Sequence, residues 1–227
     1  MKVLIVEDDR DISLLVGKIL EGEGYEVTSA YTGIEGKLFT DVEDFDLILL
    51  DLMLPGMSGE EIIEYIRKKE KKMPILVISA KIDKETKLNV LKSGADDFIM
   101  KPFDTDEVIA RVKASLRRYK EFSNFNIVHD VLRYRDLEMD LEEIKTRIKG
   151  EEIILTPIEF EILKLLLSHP KKIFTKENIY KSVWKDEFYG DENTVNVHIS
   201  NIRNKLSRID SETEYIKTIW GMGFRIS

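Results

Sequence analysis

The sequence contains no cysteine, which excludes disulfide bridges and cysteine-ligated metal sites and suits a reducing compartment. Long apolar runs are also missing. The first one, residues 3–6, is followed by acidic residues and is too short for the core of a signal peptide. None approaches the roughly 20 residues that cross a bilayer. With no repeats or low-complexity segments either, the composition predicts a globular, cytoplasmic protein without a membrane segment.

A surplus of positive charge is missing from both halves of the chain. Residues 1–120 carry 19 Lys and Arg against 24 Asp and Glu, a net charge of −5, and residues 121–227 carry 16 against 19, a net charge of −3. Nucleic-acid-binding domains are more often basic. The stretch 200–209, however, contains Arg203, Lys205 and Arg208 and no acid, which allows a local positive face on an acidic domain.

The length of 227 residues predicts two domains of about 100 residues each. In the first half, short apolar segments alternate with helical patterns, which predicts an α/β fold with a parallel sheet and helices on both faces. The predicted strands span residues 2–6, 25–30, 46–51, 74–79 and 97–100. Helix starts are predicted where Ser58 precedes Glu61 and where Asp104 precedes Glu107, because the first side chain of each pair can cap free amide groups.

Polar residues follow the predicted strands at the sheet edge where ligands of such folds collect. Glu7 and Asp8 follow the first strand, Asp51 ends the third, Ser79 ends the fourth and Lys101 follows the fifth. Neighbouring carboxylates repel one another unless a cation lies among them, and oxygen ligands favour Mg²⁺. An aspartate beside such an ion can attack phosphorus, while the lysine neutralises the transferred charge and the serine donates a hydrogen bond. Each residue alone would be ordinary, and it is their joint occurrence that predicts a phosphoryl site.

The first 120 residues resemble the receiver domain of response regulators. The resemblance is carried by the motifs Val6-Glu7-Asp8-Asp9, Asp51-Leu52-Met53-Leu54-Pro55-Gly56-Met57-Ser58-Gly59, Ile78-Ser79-Ala80 and Gly94-Ala95-Asp96-Asp97-Phe98-Ile99-Met100-Lys101-Pro102-Phe103. It implies a flavodoxin-like, doubly wound fold of five parallel strands. It also implies that Asp51 is the phosphoacceptor, that Lys101 contacts the phosphoryl group, and that Mg²⁺ is a cofactor held by Glu7, Asp8, Asp51 and the Met53 carbonyl oxygen.

The same resemblance implies how the signal leaves the domain. Receivers couple phosphorylation to movement of a hydroxyl group, here Ser79, and of an aromatic ring on the fifth strand, here Phe98 where the DNA-binding branch usually has tyrosine. The peptide bond between Lys101 and Pro102 is expected to be cis. Such receivers pair through ion pairs on their fourth helix, fifth strand and fifth helix, although a solvated charged face is the alternative. The matching positions here are Lys87, Asp96, Asp97, Glu107, Arg111 and Arg118.

The rhythm of strands and helices changes after residue 120, and residues 121–129 are interpreted as a linker. The domain from 130 to 227 is predicted to be α+β. Its predicted elements are strands at 137–139, 144–148 and 152–155, helices at 157 onward, 175–184 and 192–208, and a hairpin at 215–226. Lys149-Gly150 is predicted to be a turn. Thr156 is predicted to cap the first helix, with Pro157 in its first turn and Glu159 completing a capping box.

The last predicted helix has a single apolar stripe, formed by Val195, Ile199, Ile202, Leu206 and Ile209. Its other faces are rich in amides and flanked by cations, which suits contacts with bases and phosphates in a major groove. An ordinary amphipathic surface helix is the alternative for this pattern alone. Together with one hairpin arginine, the candidate DNA-binding residues are Asn193, Thr194, Asn196, His198, Ser200, Asn201, Arg203, Lys205, Arg208 and Arg225.

Residues 130–227 resemble the winged helix-turn-helix domain of OmpR/PhoB-type regulators. The resemblance is carried by residues 155–163, Val183-Trp184, residues 194–206 and residues 218–225. Asparagine occupies positions 193, 196, 201 and 204, where the family tends to have charged residues, which predicts weaker phosphate-driven affinity and a preference for A·T-rich sites. Arg225 is expected to reach a minor groove or a phosphate. For Trp220, core packing is an equally good interpretation.

The sequence therefore predicts a two-component response regulator that controls transcription. A sensor histidine kinase would phosphorylate Asp51, and this would promote formation of a homodimer and sequence-specific binding to double-stranded DNA, with RNA polymerase as a further partner. No enzymatic turnover is expected beyond phosphoryl transfer onto Asp51 and slow self-dephosphorylation. A protein-interaction adaptor is one alternative, supported by the negative charge of residues 121–227. An aspartyl-phosphate phosphatase is disfavoured because Met53 stands where that chemistry needs a second aspartate.

Overall fold

The computed structural model describes residues 1–80, 84–123, 131–184 and 192–227, with the backbone alone at 84, 120–123 and 192. The chain divides into two compact units, residues 1–119 and 120–227. No helix in these described ranges has the length and apolar character of a bilayer span.

The N-terminal unit is the α/β fold that the alternating pattern predicts. Its strands are β1 Lys2–Val6, β2 Glu26–Ala30, β3 Leu47–Leu50, β4 Ile75–Ser79 and β5 Asp97–Met100. Its helices are α1 Arg10–Gly22, α2 Gly33–Val42, α3 Gly59–Lys68, α4 Lys84–Ser93 and α5 Thr105–Ser123. The strands are all parallel, in the order β2-β1-β3-β4-β5, so the prediction of a flavodoxin-like, doubly wound sheet is confirmed.

The central strands are buried on both faces, which is why they are continuous apolar runs in the sequence. All four residues of β3 and all five of β4 are buried. The parallel register places Val6 opposite Leu50 and Ser79 opposite Met100, so the carboxyl ends of these strands lie along one edge of the sheet. The polar residues that follow the strands are thereby brought to the same edge.

The loop after β3 is fixed by a capped helix and a close backbone contact. Ser58 and Glu61 form the predicted capping box at the start of α3. Gly59, which follows Ser58, lies so near the loop that an added Cβ would be 2.4 Å from the carbonyl oxygen of Asp51. At the fifth helix, the Asp104 side chain accepts a hydrogen bond from the Asp106 amide, as expected of a cap. The capping box at Ser58 and the close contact at Gly59 hold the loop after β3 in a defined position.

The C-terminal unit combines antiparallel strands with three helices. The strands are β6 Val131–Tyr134, β7 Leu137–Asp140, β8 Lys145–Ile148, β9 Glu151–Ile153, β10 Ile216–Ile219 and β11 Gly223–Ile226. The helices are α6 Pro157–Leu167, α7 Lys176–Trp184 and α8 Glu192–Ser207. Strands β6 to β9 form one sheet in sequence order, and β10 pairs with β11.

The predicted helix cap and the predicted turn of the C-terminal unit are both present in the structure. Thr156 and Glu159 form the capping box of α6, with Pro157 in its first turn. Lys149 and Gly150 both have positive φ, at 51° and 86°, which makes the turn between β8 and β9. Strand β6 has no predicted counterpart because it is partly exposed along its length and lacks an apolar alternation.

The expected linker differs from the structure at its start. Helix α5 continues to Ser123, so residues 121–123 are helical, consistent with the good helix propensity of lysine and glutamate in this stretch. The rest of the predicted linker, residues 124–129, lies outside the described residues.

Candidate functional site

The acidic residues after β1 and β3 lie side by side because these two strands are neighbours. The amide of Asp51 donates a hydrogen bond of 2.9 Å to the carbonyl oxygen of Val6. Carboxylate oxygens of Glu7, Asp8 and Asp51 all lie within 4.8 Å of one another. Glu7 and Asp51 are buried and Asp8 is exposed, so the cluster opens to solvent at one side.

Lys101 reaches this cluster from the end of β5. Its Nζ donates to both oxygens of Glu7, at 2.7 and 2.8 Å, and to Oδ2 of Asp51 at 2.5 Å. The other oxygen of Asp51 accepts from the Met53 amide at 3.1 Å. The peptide bond between Lys101 and Pro102 is cis, as expected. Both oxygens of Asp51 are therefore oriented by the protein.

The titration of the cluster reflects this crowding. Burial raises the pKa of Glu7 to about 6, although the hydrogen bond from Lys101 lowers it, and the charge of Asp51 adds to the rise. Burial lowers the pKa of Lys101, but its hydrogen bonds to Asp51 and Glu7 outweigh this effect and raise the pKa overall. Lys101 therefore stays protonated, while the pKa of the buried Glu7 carboxyl group, about 6, lies near neutral pH.

The donor set fits a divalent cation with a preference for oxygen ligands. Three carboxylates and one ammonium group leave an excess of two negative charges when all four are ionised. Mg²⁺ is bound by carboxylates, carbonyl oxygens and water, so Glu7, Asp8 and Asp51 are suitable ligands. That the carbonyl oxygen of Met53 is a further Mg²⁺ ligand stays a prediction.

The two predicted switch residues lie on neighbouring strands. Ser79 is fully buried at the end of β4, and Phe98 on β5 is partly exposed. The Nζ of Lys87 lies 3.4 Å from the centroid of the Phe98 ring, which is a cation–π contact. Burial lowers the pKa of Lys87 to about 8, against the opposing charge of Asp97. The ring therefore packs against a residue predicted to lie on the dimer face.

Several of the other predicted dimer residues make contacts within the chain. Arg111 binds Asp97 at 2.8 Å and Glu107 at 2.9 Å. Asp96 is buried and accepts from Arg67 at 2.8 Å. Arg118 is also buried, and it donates to Ser115 at 3.0 Å. Asp97, Glu107 and Arg111 are thus joined by ion pairs within the chain, with Asp97 buried, whereas Asp96 pairs with Arg67 of α3.

Helix α8 buries a wider arc than its apolar stripe indicates. Val195, Ile199, Ile202 and Leu206 are buried as predicted, and Ile209 is half-buried. Thr194 and His198 are each only 1% exposed, and the His198 ring lies 5.6 Å from that of Trp184. Their side chains therefore serve packing in this conformation, which removes them from the surface that a groove could contact.

Two cations predicted to bind DNA are engaged inside the C-terminal unit. Arg203 donates to the carbonyl oxygen of Ile216 at 2.7 and 3.0 Å and to Oγ1 of Thr218 at 2.8 Å. Burial lowers its pKa. Lys205 lies 2.5 Å from the buried carboxylate of Glu159, which completes the capping box of α6 by accepting from the Thr156 amide. Both cations tie α8 to its neighbours.

The remaining candidates lie at least partly at the surface. Ser200 and Arg208 are exposed, and the others are partly exposed. The partly exposed candidates are Asn193, Asn196, Asn201 and Arg225. Trp220, for which core packing was an equal alternative, is exposed at the turn between β10 and β11. That alternative is therefore wrong.

Sequence reasoning did not identify the residue that fixes Asp96. The guanidinium of Arg67 donates to Asp96 and also to the carbonyl oxygens of Gly94, Lys71 and Met73, at 2.8 to 2.9 Å. The only available signal was its place in the last turn of α3, which is a common position for any basic residue.

Comparisons with known proteins agree with this architecture. Residues 3–113 match the family described as the response regulator receiver domain, and residues 150–226 match the C-terminal domain of transcriptional regulatory proteins. The chain is 41% identical to the uncharacterised transcriptional regulatory protein YcbL of Bacillus subtilis, covering 98% of this chain and 99% of that protein. It is 38% identical to the transcriptional regulatory protein ResD of the same organism, covering 99% and 95%.

A solved structure extends the match across both units. DrrB of Thermotoga maritima, an OmpR/PhoB homolog, is 31% identical, with a TM-score of 0.52 over 100% of this chain and 98% of that chain. Along this chain the receiver-domain match precedes the match to the C-terminal domain of transcriptional regulatory proteins. The chain therefore belongs to the OmpR/PhoB-type response regulators of two-component systems, in which a receiver domain precedes a DNA-binding domain that controls transcription.

Proposed function

We propose that phosphorylation of Asp51 by a sensor histidine kinase controls the DNA binding of this chain. The observation that carries the proposal is the position of Asp51, which lies among Glu7, Asp8 and Lys101 with both of its oxygens oriented. A carboxylate that served the fold alone would need no neighbouring acids, because like charges at this distance destabilise the folded state.

The proposed chemistry uses the Asp51 carboxylate as the nucleophile. One carboxylate oxygen bonds to the phosphorus of a phosphohistidine, and the bond from phosphorus to nitrogen breaks with its electron pair on the imidazole. The product is an acyl phosphate on Asp51 and a free histidine on the donor. Lys101 stays protonated and neutralises part of the negative charge that arrives with the phosphoryl group.

Glu7, Asp8 and Asp51 would hold Mg²⁺ at this edge. The bound ion would neutralise charge on the transferred phosphoryl oxygens, which is the main electrostatic requirement of phosphoryl transfer. The Ser79 hydroxyl is proposed to donate a hydrogen bond to the phosphoryl group after transfer. Phe98 would move at the same time, exchanging its contact with Lys87 for a different packing.

The C-terminal unit is proposed to bind double-stranded DNA as part of a homodimer. Contacts from α8 would come from its surface residues, and the phosphorylated receivers would pair through the face that contains Lys87, Asp97, Glu107 and Arg111. Exposed ion pairs between the two chains would contribute about 0–1 kcal/mol each, so Glu107 would set the geometry of the pair more than its affinity. Asp97 and Arg111 are already largely buried in their ion pair within the chain. The surface residues of α8 are Asn193, Asn196, Ser200 and Asn201, and Arg208 follows directly after the helix.

Phosphorylation is tested by incubating the purified chain with acetyl phosphate and Mg²⁺. We expect a gain of one phosphoryl group that is stable in acid and labile in base, and its loss in the Asp51→Asn variant and in the presence of EDTA. Asp44→Asn is the matched control, because the Asp44 side chain is fully exposed. Phosphoryl incorporation that persists in Asp51→Asn would refute the assignment.

DNA binding is tested by selecting bound duplexes from a random pool, with and without acetyl phosphate and Mg²⁺. We expect a common sequence, arranged as two half-sites, that is enriched more strongly by the phosphorylated chain. Failure of the wild-type chain to retain any duplex at low salt would favour the adaptor alternative, because every DNA-binding domain gains affinity as salt is lowered.

A further inference from the structure

Helix α2 exposes its large apolar side chains and buries its small ones. Its buried residues are Gly33, Gly36 and Thr40. Three residues form an exposed apolar stripe, called here the α2 stripe: Ile34, Leu38 and Val42, which are 61%, 58% and 65% exposed. A surface helix of a globular protein normally does the reverse, with its large apolar residues facing the core. Most of the apolar area of the α2 stripe is therefore not used by the core of the N-terminal unit.

The inner face of α2 is fixed by close contacts that only small residues allow. A Cβ added to Gly36 would lie 2.8 Å from the side chain of Val6, and one added to Gly33 would lie 1.9 Å from the carbonyl oxygen of Met57. The Gly33 amide also donates to the carbonyl oxygen of Pro55 at 3.2 Å. A helix turned with its large residues inward would not fit here, so the α2 stripe is held outward. A surface that is ordered before binding loses less conformational entropy when a partner binds.

The neighbouring helix α3 shows the ordinary pattern. It buries Ile62, Ile63 and Ile66 and exposes charged residues, among them Glu64 and Lys68. Isolated apolar residues at a surface are common, but contiguous ones mark contacts with other molecules. The difference between two adjacent helices of one unit identifies the α2 stripe as a contact surface.

The spacing of the α2 stripe suits contact with a second copy of the same helix. Its residues are four apart, so they form one of the ridges by which two helices pack at about −50°. A twofold axis at Leu38 would place two α2 helices antiparallel, with Ile34 of one copy against Val42 of the partner subunit. The two Leu38 side chains would meet at the axis. Such a surface is complementary to itself, as a twofold contact requires.

The charges beside the α2 stripe fit the same arrangement. Lys37 and Asp41 lie on one flank of the stripe, 3.4 Å apart. The twofold axis brings this flank next to its own copy in the opposite direction, so that Lys37 lies near Asp41 of the partner subunit. Tyr65 and Lys69 hold the Asp41 carboxylate in place, at 2.8 and 2.6 Å. Opposite charges that face each other fix the register and the direction of a contact more than its affinity.

We propose that two copies of this chain associate through antiparallel contact of their α2 stripes, without phosphorylation. Helix α2 packs against β1 and β2, at one side of the sheet, whereas the face proposed for the phosphorylated pair contains residues of β5 at the other edge. The two contacts are therefore separate. The α2 contact buries few side chains on each copy, so we expect a weak and reversible dimer.

The first test is sedimentation velocity of the full-length chain over a wide range of concentrations, with EDTA and without a phosphodonor. The wild type should pass reversibly from monomer to dimer as its concentration rises. Leu38→Glu should raise the dimer Kd roughly tenfold or more, because it brings two charges together in an apolar contact. Leu14→Glu is the matched control, since Leu14 is an equally exposed leucine of α1. Circular dichroism checks that the variants are folded.

The lack of cysteine in the chain allows a test of position. Leu38→Cys introduces the only thiol, and the twofold axis would bring two of them within the Cα separation that a disulfide needs, about 4.4–6.8 Å. Mild oxidation should link the Leu38→Cys variant into a covalent dimer much faster than Leu14→Cys.

A charge reversal tests the direction of the contact. Lys37→Glu and Asp41→Lys should each weaken the dimer, because like charges then face each other across the axis. An equal mixture of the two variants should associate more strongly than either alone, since the two reversed charges then face each other. A mixture no stronger than its components would rule out the antiparallel arrangement.

Three results would overturn the inference. One is a wild type that stays monomeric, with Leu38→Cys no faster to cross-link than Leu14→Cys. Another is a dimer that Leu38→Glu leaves intact, which would place the contact elsewhere. The third is a monomeric wild type whose phosphorylation by a kinase is slowed by Leu38→Glu, which would assign the α2 stripe to the kinase. The phosphorylation of Asp51 by acetyl phosphate is measured separately, so the proposed function stands or falls independently.

Discussion

The two units of this chain treat charged side chains in opposite ways. At the edge of the parallel sheet, three carboxylates face one ammonium group within the described part of the chain, and burial raises the pKa of Glu7 to about 6. In the C-terminal unit, Lys205 meets the buried Glu159, and Arg203 donates to backbone and side-chain oxygens of β10. The excess of negative charge at the sheet edge thus suits a cationic ligand, whereas the paired charges of the C-terminal unit serve its fold.

The largest effect that tests this difference is expected from Lys101→Met. Without its ammonium group the edge keeps Glu7, Asp8 and Asp51 and, among the described residues, loses the cation that pairs with them, so the incoming phosphoryl group meets greater repulsion. We expect the rate of phosphorylation by acetyl phosphate to fall roughly 100-fold, the usual cost of losing one electrostatic group of this kind. Incorporation of phosphate into the intact protein measures the rate.

Lys92→Met provides the matched control for this change, because Lys92 is an exposed lysine of α4. It should leave the rate unchanged. A Lys101→Met rate within a factor of two of the wild-type rate would mean that the ammonium group balances Glu7 for the fold and does little for phosphoryl transfer.

Lys205→Met should instead destabilise the C-terminal unit. It leaves the Glu159 carboxylate, 1% exposed, with the Thr156 amide as its remaining hydrogen-bond donor in the described contacts. Leaving a buried acceptor without a charged partner costs about 1–3 kcal/mol in the free energy of unfolding. Chemical denaturation followed by the fluorescence of the buried Trp184 measures the change.

Lys171→Met is the matched control, because Lys171 is an exposed lysine of the same unit. It should change the free energy of unfolding very little. If Lys205→Met kept full stability but reduced the salt dependence of DNA binding, Lys205 would be a phosphate contact, and the contrast between the two units would be broken.

The same contrast explains how much could be predicted from the sequence. The edge residues were predictable because strand pairing fixes where strands end, so Glu7 and Asp51 had to be neighbours once β1 and β3 were recognised. Helix α8 was predicted almost to the residue, but its buried arc was not. The burial of Thr194 and His198 depends on which helices pack against α8, and a local pattern carries no information about that packing.

Ion pairs between residues that are distant in sequence could not be predicted from local sequence patterns either. Glu159 was correctly identified as part of a capping box, yet its ion pair with Lys205 joins residues 46 positions apart. Arg67 and Asp96 are 29 positions apart. Such pairs follow from the three-dimensional arrangement of the elements, whereas the capping box of α6 follows from four consecutive residues.

A smaller effect on stability is expected from Asp210→Asn, which removes a carboxylate whose pKa is lowered, whereas that of Glu7 is raised. Hydrogen bonds from Thr213 and Tyr215, and the nearby Lys149, lower the pKa of Asp210 from its ordinary 3.8 to about 2. A lowered carboxyl pKa stabilises the folded state above the ordinary value, and this contribution is lost as pH falls from about 4 to about 2.

The Asp210→Asn variant should therefore melt at a lower temperature than the wild type at neutral pH, and the two melting temperatures should converge near pH 2. Thermal melts recorded by Trp184 fluorescence across this range give the comparison. A difference in melting temperature that stays constant from neutral pH to pH 2 would mean that the ionised form of Asp210 is not the form that stabilises the fold.

The smallest expected change is that of Arg208→Ala, which tests the exposed side of α8 directly. Arg208 is an exposed cation near the end of this helix, so its removal should leave the stability of the unit unchanged. If it binds one phosphate, the logarithm of the DNA association constant should depend less steeply on the logarithm of salt concentration, by about 1 in slope. Anisotropy titrations at several salt concentrations measure this slope. An unchanged slope would show that Arg208 does not contact the DNA backbone, and the phosphate contacts would then have to come from other cations of the C-terminal unit.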